Sequence, residues 1–140
     1  MPREFVSGSA EETLRWGREF ASQLAAPAVI LLYGELGSGK TTLAKGIISG
    51  LGAAREEEVS SPTFVLVHVY RGCPPVYHAD LYRVDELRDF ETLGLEDIFI
   101  EPGILIVEWA ERFLLRSNWP AIRIRLKHLG RDRRKISVSV

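Results

Sequence analysis

The sequence predicts one α/β domain with a central mixed sheet that is largely parallel and is flanked by helices. The chain has 140 residues, which suits a single domain with one core, so residues 1–140 are treated as one unit. Residues 29–33 and 104–107 are continuous apolar runs, the pattern of strands covered on both faces of a parallel sheet. The first run leads into a glycine-rich loop and an amphipathic segment, which is the order of a parallel α/β unit.

Composition places the chain among ordinary globular proteins. Hydrophobic residues make up 46% and charged residues 26%, which excludes disorder, coiled coil and collagen. The apolar runs are too short to span a bilayer and no secretion signal opens the chain, so we expect a cytoplasmic protein that does not bind membranes. The single cysteine, Cys73, can form no internal disulfide, which suits a reducing compartment, and we assign it no chemistry.

A short strand and a helix are predicted to precede the first apolar run. The strand lies around Phe5 and Val6. Residues 9–12, Ser-Ala-Glu-Glu, match a helix capping box. Apolar and small residues then recur at helical spacing up to Pro27, namely Leu14, Gly17, Phe20, Ala21 and Leu24.

The remaining elements complete the predicted sheet. A helix follows the glycine loop with Leu43, Ile47, Ile48 and Leu51 on one face, and Gly50 and Gly52 end it. After it we expect, in chain order, a hairpin of strands at 65–70 and 76–79, a short helix at 86–93, the strand at 104–107, a helical turn or two at 110–115, and two paired strands at 122–126 and 136–140.

The glycine-rich loop carries the most specific functional signal. Residues 34–41, Gly-Glu-Leu-Gly-Ser-Gly-Lys-Thr, fit the pattern G-x-x-x-x-G-K-[ST] of a P-loop nucleotide-binding fold. The glycines let backbone amides wrap a phosphate at a helix N-terminus. We expect Lys40 to reach the β- and γ-phosphates and the Thr41 hydroxyl to bind Mg²⁺. A chance glycine turn is the alternative, but the strand before the loop and the helix after it favour the P-loop.

Two carboxylates follow strands and are candidates for the metal and for the attacking water. Glu108 ends the run 104–107, where a P-loop protein needs an acid for Mg²⁺, directly or through water. Asp80 ends the preceding strand, at the ligand edge of the sheet. An ordinary strand-end glutamate and a structural turn cap are the respective alternatives. His78 is interpreted as a structural histidine.

Thr63, in the segment Ser-Pro-Thr-Phe at 61–64, is a candidate sensor of the γ-phosphate, with a plain proline turn as the alternative. Cations concentrate near the C-terminus, where a solvated face, a nucleotide-facing patch and an RNA- or protein-docking patch all remain open. This group comprises Arg116, Arg123, Arg125, Lys127, Arg131, Arg133, Arg134 and Lys135.

Four segments together, G-E-L-G-S-G-K-T-T-L, S-P-T-F, H-A-D-L-Y-R and I-V-E-W, resemble the bacterial TsaE (YjeE) family over nearly the whole chain. The resemblance implies an Mg²⁺-dependent ATPase required for threonylcarbamoylation of the adenosine beside the anticodon in tRNAs that read codons beginning with adenine. It implies TsaD-like and TsaB-like partners that carry the modification chemistry, with tRNA contacted indirectly, and ATP turnover that drives or resets the assembly.

The resemblance also implies roles for individual residues. Thr41 and Glu108 would bind Mg²⁺, while Asp80 and Thr63 would serve hydrolysis with Lys40. The remaining contacts to ATP would come from Gly37, Ser38, Gly39, Lys40, Thr41 and Thr42 at the phosphates and from Ser9, Ala10 and Arg134 on the adenine side. Trp109, directly after the acid, is typical of the family.

Other classes fit the sequence less well. A small-molecule P-loop kinase is the main alternative, but no segment resembles an arginine-rich lid or an acceptor pocket. A GTPase would show an N-K-x-D-like guanine reader, which does not occur in the sequence. A nucleotide- or RNA-binding module without catalysis is disfavoured by the set of Lys40, Thr41 and Glu108.

Overall fold

The computed structural model describes residues 3–60, 67–82, 84, 91, 95–112, 115 and 117–140. Its two α-helices are α1 (Ala10–Ala21) and α2 (Lys40–Gly50). Its strands are β1 (Arg3–Ser7), β2 (Ala28–Tyr33), β3 (Val67–Tyr70), β4 (Val76–Asp80), β5 (Ile104–Glu108), β6 (Ala121–Gly130) and β7 (Arg133–Ser139). Two 3₁₀ segments, Glu56–Glu58 and Leu95–Ile100, join them.

All seven strands form one mixed sheet in the order β1-β7-β6-β2-β5-β4-β3. The central four, β6, β2, β5 and β4, run parallel to one another, whereas β7 and β3 pair antiparallel with this centre and β1 pairs antiparallel with β7. The predicted fold class is confirmed. Because the carboxyl ends of parallel strands share one edge, the residues that follow β2, β4 and β5 converge there.

Helix α1 begins at the predicted cap. The Ser9 hydroxyl accepts a hydrogen bond from the Glu12 N–H at 3.1 Å, and the Glu12 carboxylate accepts one from the Gly8 N–H. These bonds satisfy amide groups that the first turn of a helix leaves unpaired. The buried residues Thr13, Gly17, Phe20 and Ala21 give α1 one face that packs inward.

Helices α1 and α2 pack against each other through glycine. A Cβ atom added at Gly46 would lie 2.5 Å from the Leu14 carbonyl oxygen, and one added at Gly17 would lie 3.1 Å from the Gly46 Cα. Both distances are shorter than ordinary van der Waals contact. The absence of side chains at these two positions therefore lets the helix backbones approach closely.

The two faces of the sheet have separate apolar clusters because side chains alternate along each strand. Ile30, Leu32, Ile106 and Ile124 pack with α1 and α2 on one face, and Val29, Leu105 and Val107 belong to the cluster on the other. The side chains of β5 are all buried, as its apolar run predicts.

The predicted strands and the helices α1 and α2 are observed with shifted ends, and residues 65–66 of the predicted hairpin lie outside the described residues. The helical turns expected at 110–115 are wrong for residues 110–112. Residues 109–112 instead form a tight turn, in which the Arg112 N–H donates to the Trp109 carbonyl at 3.1 Å. Trp109 has a φ of 60°, a left-handed conformation that does not occur within a right-handed helix. The helix expected at 86–93 lies outside the described residues except for Glu91.

The connection before β5 contains a helical segment that the sequence did not predict. The segment Leu95–Ile100 forms a 3₁₀ helix before β5. Phe99 within it packs edge-on against Trp119, with 4.7 Å between ring centroids. Among the described helices, none is long and apolar enough to cross a membrane.

Candidate functional site

The glycine-rich loop leaves the end of β2 and enters α2 at the converging edge of the sheet. Gly34, Gly37 and Gly39 have φ values of 155°, 81° and 102°, so the backbone repeatedly takes conformations that side chains disfavour. Gly39 is the residue before α2, whose first-turn amides have no side-chain cap. Free amides at a helix N-terminus attract anions, and this loop can therefore hold a phosphate.

Lys40 lies at the floor of this loop and is 5% exposed. Its Nζ donates to the Gly34 carbonyl at 2.5 Å and to the Glu35 carbonyl at 3.0 Å, and lies 3.8 Å from the Trp109 ring centroid. Burial lowers the pKa of Lys40, and the carboxylates of Glu111, Glu108 and Asp80 oppose that change. The loop thus holds an ammonium group close to three acids.

Glu108 is buried at the carboxyl end of β5 and has two side-chain partners. Its Oε1 accepts a hydrogen bond from the Thr41 hydroxyl at 2.8 Å. Its Oε2 lies 2.5 Å from Nε2 of His78, a residue with no solvent exposure. The predicted metal residues Thr41 and Glu108 are therefore in direct contact, although they are 67 positions apart in sequence.

Asp80 lies beside Glu108 because β4 and β5 are parallel and pair Asp80 with Glu108 in register. The Asp80 Oδ1 accepts a hydrogen bond from the Tyr82 N–H at 2.9 Å, so this aspartate caps the turn after β4. It also borders the cleft above Lys40. The structure therefore combines the two interpretations that the sequence left as alternatives, a turn cap and an acid at the site.

A cleft of about 370 Å³ opens above these groups. It is lined by the loop, by the acids and by residues from β7 and from the turn after β5, namely Leu36, Gly37, Gly39, Lys40, Thr41, Thr42, Asp80, Tyr82, Glu108, Trp109 and Arg134. A cleft of this size can hold part of a nucleotide, and the rest of the nucleotide would lie outside it.

Arg134 reaches the loop from β7, which is separated from β2 by β6 in the sheet. Its Nε donates to the Ser38 carbonyl at 3.0 Å, and a Cβ added at Gly39 would lie 2.7 Å from the same nitrogen. Gly39 is therefore needed both for its positive φ and for the passage of Arg134.

The described residues include no group of three or more His, Cys, Asp or Glu side chains arranged to hold a metal ion. The oxygen pair of Thr41 and Glu108, with Asp80 beside it, nevertheless fits Mg²⁺, which prefers oxygen ligands. Mg²⁺ in nucleotide sites is held by one or two protein oxygens together with phosphates and water. The donor set therefore suits a metal that binds with a nucleotide.

The other predicted site residues take different positions. Ser38 is buried beneath the loop, and Thr63 lies outside the described residues. Ser9 and Ala10 stand at the start of α1 and do not border the cleft. Ser7, just before them in the chain, pairs with Arg134 across β1 and β7. Arg134 donates to the Ser38 carbonyl, so the start of α1 is linked to the glycine-rich loop by way of β7.

Three residues at the site had no role in the sequence analysis. The Trp109 ring covers Lys40 and lies 4.9 Å from the Tyr82 ring, and the Glu111 carboxylate accepts from the Gly34 N–H at 3.3 Å. Trp109 and Glu111 follow the Glu108 strand end, and Tyr82 lies two residues after Asp80. Tyr82 and Trp109 belong to the segments H-A-D-L-Y-R and I-V-E-W that carry the family resemblance, which was their signal, whereas for Glu111 the signal was its proximity in sequence to Glu108.

Residues 7–136 match the family described as Threonylcarbamoyl adenosine biosynthesis protein TsaE. The TsaE protein of Treponema pallidum is 38% identical over 134 residues, covering 96% of this chain and 98% of its own. The TsaE protein of Bacillus subtilis is 41% identical over 112 residues, covering 78% of this chain and 67% of its own. The crystal structure of Bacillus subtilis YdiB is similar with a TM-score of 0.73 at 32% identity, over 99% of this chain and 84% of that chain.

Proposed function

The chain belongs to the TsaE family of threonylcarbamoyl adenosine biosynthesis proteins, and we propose that it serves this pathway by binding ATP with Mg²⁺ and hydrolysing it. The observation that carries the proposal is the contact of Thr41 with Glu108 beside Lys40, at the floor of a cleft formed by the glycine-rich loop. Lys40 and Thr41 lie at the start of α2, and Glu108 lies at the end of β5. A lysine, a hydroxyl that can bind a metal and an acid are the groups that phosphoryl transfer uses.

Phosphate binding is assigned to the loop and Lys40. The amides at the start of α2 face the phosphates, with the helix dipole adding about half a positive charge. Lys40 exchanges its bonds to the Gly34 and Glu35 carbonyls for bonds to phosphate oxygens. Because this lysine is already buried and held at the floor of the cleft, it loses little side-chain freedom when the ligand arrives.

Metal binding is assigned to Thr41 and Glu108. These two residues would hold Mg²⁺, which would supply positive charge against the charge that develops on the phosphates during transfer. The Thr41 hydroxyl and Glu108 Oε1 are 2.8 Å apart and both can turn to such an ion. We assign the attacking water to Asp80, because it lies in register beside Glu108 and borders the cleft.

The protein is proposed to hydrolyse ATP slowly by itself. Arg134 is the one arginine among the described residues that line the cleft, and its Nε is already bonded to the Ser38 carbonyl. An arginine that stabilises the transferring phosphoryl group raises turnover by about a thousandfold or more. We therefore propose that TsaD-like and TsaB-like partners complete the site, with ATP turnover resetting their assembly and tRNA contacted through them.

A single experiment tests the function at two levels. The full chain is mixed with Mg²⁺–ATP, with and without its TsaD-like and TsaB-like partners, while phosphate release and the threonylcarbamoyladenosine content of added tRNA are measured. We expect slow phosphate release alone, faster release with partners, and sustained modification only when all are present. No ATP binding would refute the nucleotide site, and full modification without this chain would refute the role in the pathway.

A further inference from the structure

We propose that His78 is a positioning residue for Glu108, whose imidazole fixes one carboxylate oxygen so that the other stays turned towards Thr41 and the nucleotide-bound metal. This inference rests on the proposed Mg²⁺–ATP function of the same cleft. It gives a role to a buried histidine that the sequence suggested was only structural.

The two oxygens of Glu108 have different partners. Oε1 accepts from the Thr41 hydroxyl at 2.8 Å, on the side of the cleft, and Oε2 lies 2.5 Å from His78 Nε2, on the side of the sheet. The side chains of His78 and Glu108 are 0% and 3% exposed, so water contributes little to either group. A buried carboxylate needs such partners, and bonds to an ionised acceptor are the stronger kind.

Strand register produces this arrangement. In the parallel pair of β4 and β5, His78 lies opposite Ile106 and Asp80 lies opposite Glu108. Residues two positions apart share a face, so His78 and Glu108 both point to the side that α2 covers. The start of α2 then supplies Thr41 from above.

The second nitrogen of His78 indicates what holds the ring. Among the described residues, Nδ1 is the one buried side-chain nitrogen or oxygen without a hydrogen-bond partner. A histidine with a purely structural role normally satisfies both nitrogens. If the ring gives an Nε2 proton to the Glu108 carboxylate, only the lone pair of Nδ1 is left unpaired, which is the arrangement expected if the carboxylate sets the position of the ring.

Metal binding makes His78 more important for the orientation of Glu108. Once Thr41 and Oε1 both turn to Mg²⁺, the hydrogen bond between them no longer orients the carboxylate. The bond from His78 to Oε2 involves neither the metal nor the cleft, and it persists. Partners of this kind typically change metal affinity by about ten- to a hundredfold when they are removed.

The test compares two amides at position 78 of the full chain. In His78→Gln the amide nitrogen can reach the place of Nε2, whereas the shorter side chain of His78→Asn cannot. His68→Gln is the matched control, because His68 faces His78 across β3 and β4 with 6.4 Å between ring centroids, and its contacts do not include Glu108. Mn²⁺ affinity of the ADP-bound protein is measured by electron paramagnetic resonance, and ADP affinity is measured separately in EDTA.

We expect His78→Asn to bind Mn²⁺ about ten- to a hundredfold more weakly, with ADP affinity in EDTA unchanged within about twofold. His78→Gln should recover metal affinity to within about threefold, and His68→Gln should match the wild type. Equal metal affinity of the Gln and Asn variants would overturn the proposal, as would an equal loss of ADP affinity in EDTA. If the wild type itself binds no ADP, the proposed function has failed instead.

The tautomer of His78 gives a measurement that needs no variant. Nitrogen NMR of the wild-type chain should show the proton on Nε2, both without ligand and with Mg²⁺–ADP. A proton on Nδ1 in place of Nε2 would overturn the proposal even if His78→Asn does not fold.

Discussion

Removing the ammonium group of Lys40 should weaken ATP binding about a hundredfold while leaving the protein folded. Hydrogen bonds between charged groups contribute about 1.5–3 kcal/mol each, and Lys40 is expected to contact two phosphates. Part of that gain is offset, because Lys40 must first give up its bonds to the Gly34 and Glu35 carbonyls. A net loss of about 3 kcal/mol corresponds to roughly a hundredfold in the dissociation constant.

The contacts of Lys40 predict how two variants, Lys40→Ala and Lys40→Met, change the stability of the protein. Lys40→Ala removes two donors to loop carbonyls and the stem beneath Trp109, so we expect the free energy of unfolding to fall by about 1–2 kcal/mol. For 140 residues this is a decrease in melting temperature of about 3–7 °C. Lys40→Met should lose less, because it keeps the stem, and because burial already lowers the pKa of Lys40 and so disfavours the charge in the folded state.

Calorimetry with Mg²⁺–ATP and thermal unfolding are the measurements. Lys45→Ala is the matched control, since Lys45 lies on the same helix but does not border the cleft. It should bind ATP like the wild type. A folded Lys40→Met protein with an ATP affinity within about twofold of the wild type would refute the assignment of the phosphate site.

The other predictions follow from the acids and from the helix contact. Glu108→Gln should keep metal-free ADP binding but lose Mg²⁺-dependent hydrolysis, because the amide lacks the charge that would hold the metal. Asp80→Asn should reduce hydrolysis less if that acid acts only through water. A phosphate-release assay ranks the two variants, and wild-type turnover in Glu108→Gln would contradict the role of Glu108. Gly46→Ala should destabilise the protein by about 1–3 kcal/mol, because the added Cβ would lie 2.5 Å from the Leu14 carbonyl oxygen. Gly72→Ala is the control, because a Cβ there would lie 3.7 Å from the nearest atom, the Pro74 carbonyl oxygen, and this variant should unfold in urea like the wild type. Equal midpoints for the two glycine variants would show that the helices can separate freely.

Local signals in the sequence predicted most of the elements that position the site. The Ser9 cap is formed as expected, although the Glu12 carboxylate bonds to the Gly8 N–H instead of the Ser9 N–H, and the apolar run before the glycine loop is the central strand β2. These features depend on residues within a few positions of each other, so propensity and periodicity suffice to find them. Thr41 and Glu108 were both predicted as Mg²⁺ ligands, so their proximity was expected, but the direct hydrogen bond between them was not predicted.

Features set by strand register could not be predicted in the same way. The bond from His78 to Glu108 depends on β4 and β5 being adjacent and parallel, and no local pattern specifies that pairing. The turn at 109–112 was missed because the left-handed conformation of Trp109 is unusual for a bulky residue. The Trp109 ring covers Lys40, so the residue with the unusual backbone conformation contacts the candidate site.

The antiparallel strands at one edge of the sheet connect both ends of the described chain to the nucleotide site. Strand β7 pairs with β6 and β1, with Ser7 opposite Arg134, and Arg134 donates to the Ser38 carbonyl of the glycine loop. Displacing β7 would therefore remove the Arg134 side chain from the cleft lining and leave the Ser38 carbonyl without this partner. Strand β5 in the parallel centre supplies Glu108, and helix α2, which follows the glycine loop after β2, supplies Lys40 and Thr41. Completion of the cleft requires the edge strands as well, so the stability of that edge and the geometry of the glycine loop are physically coupled.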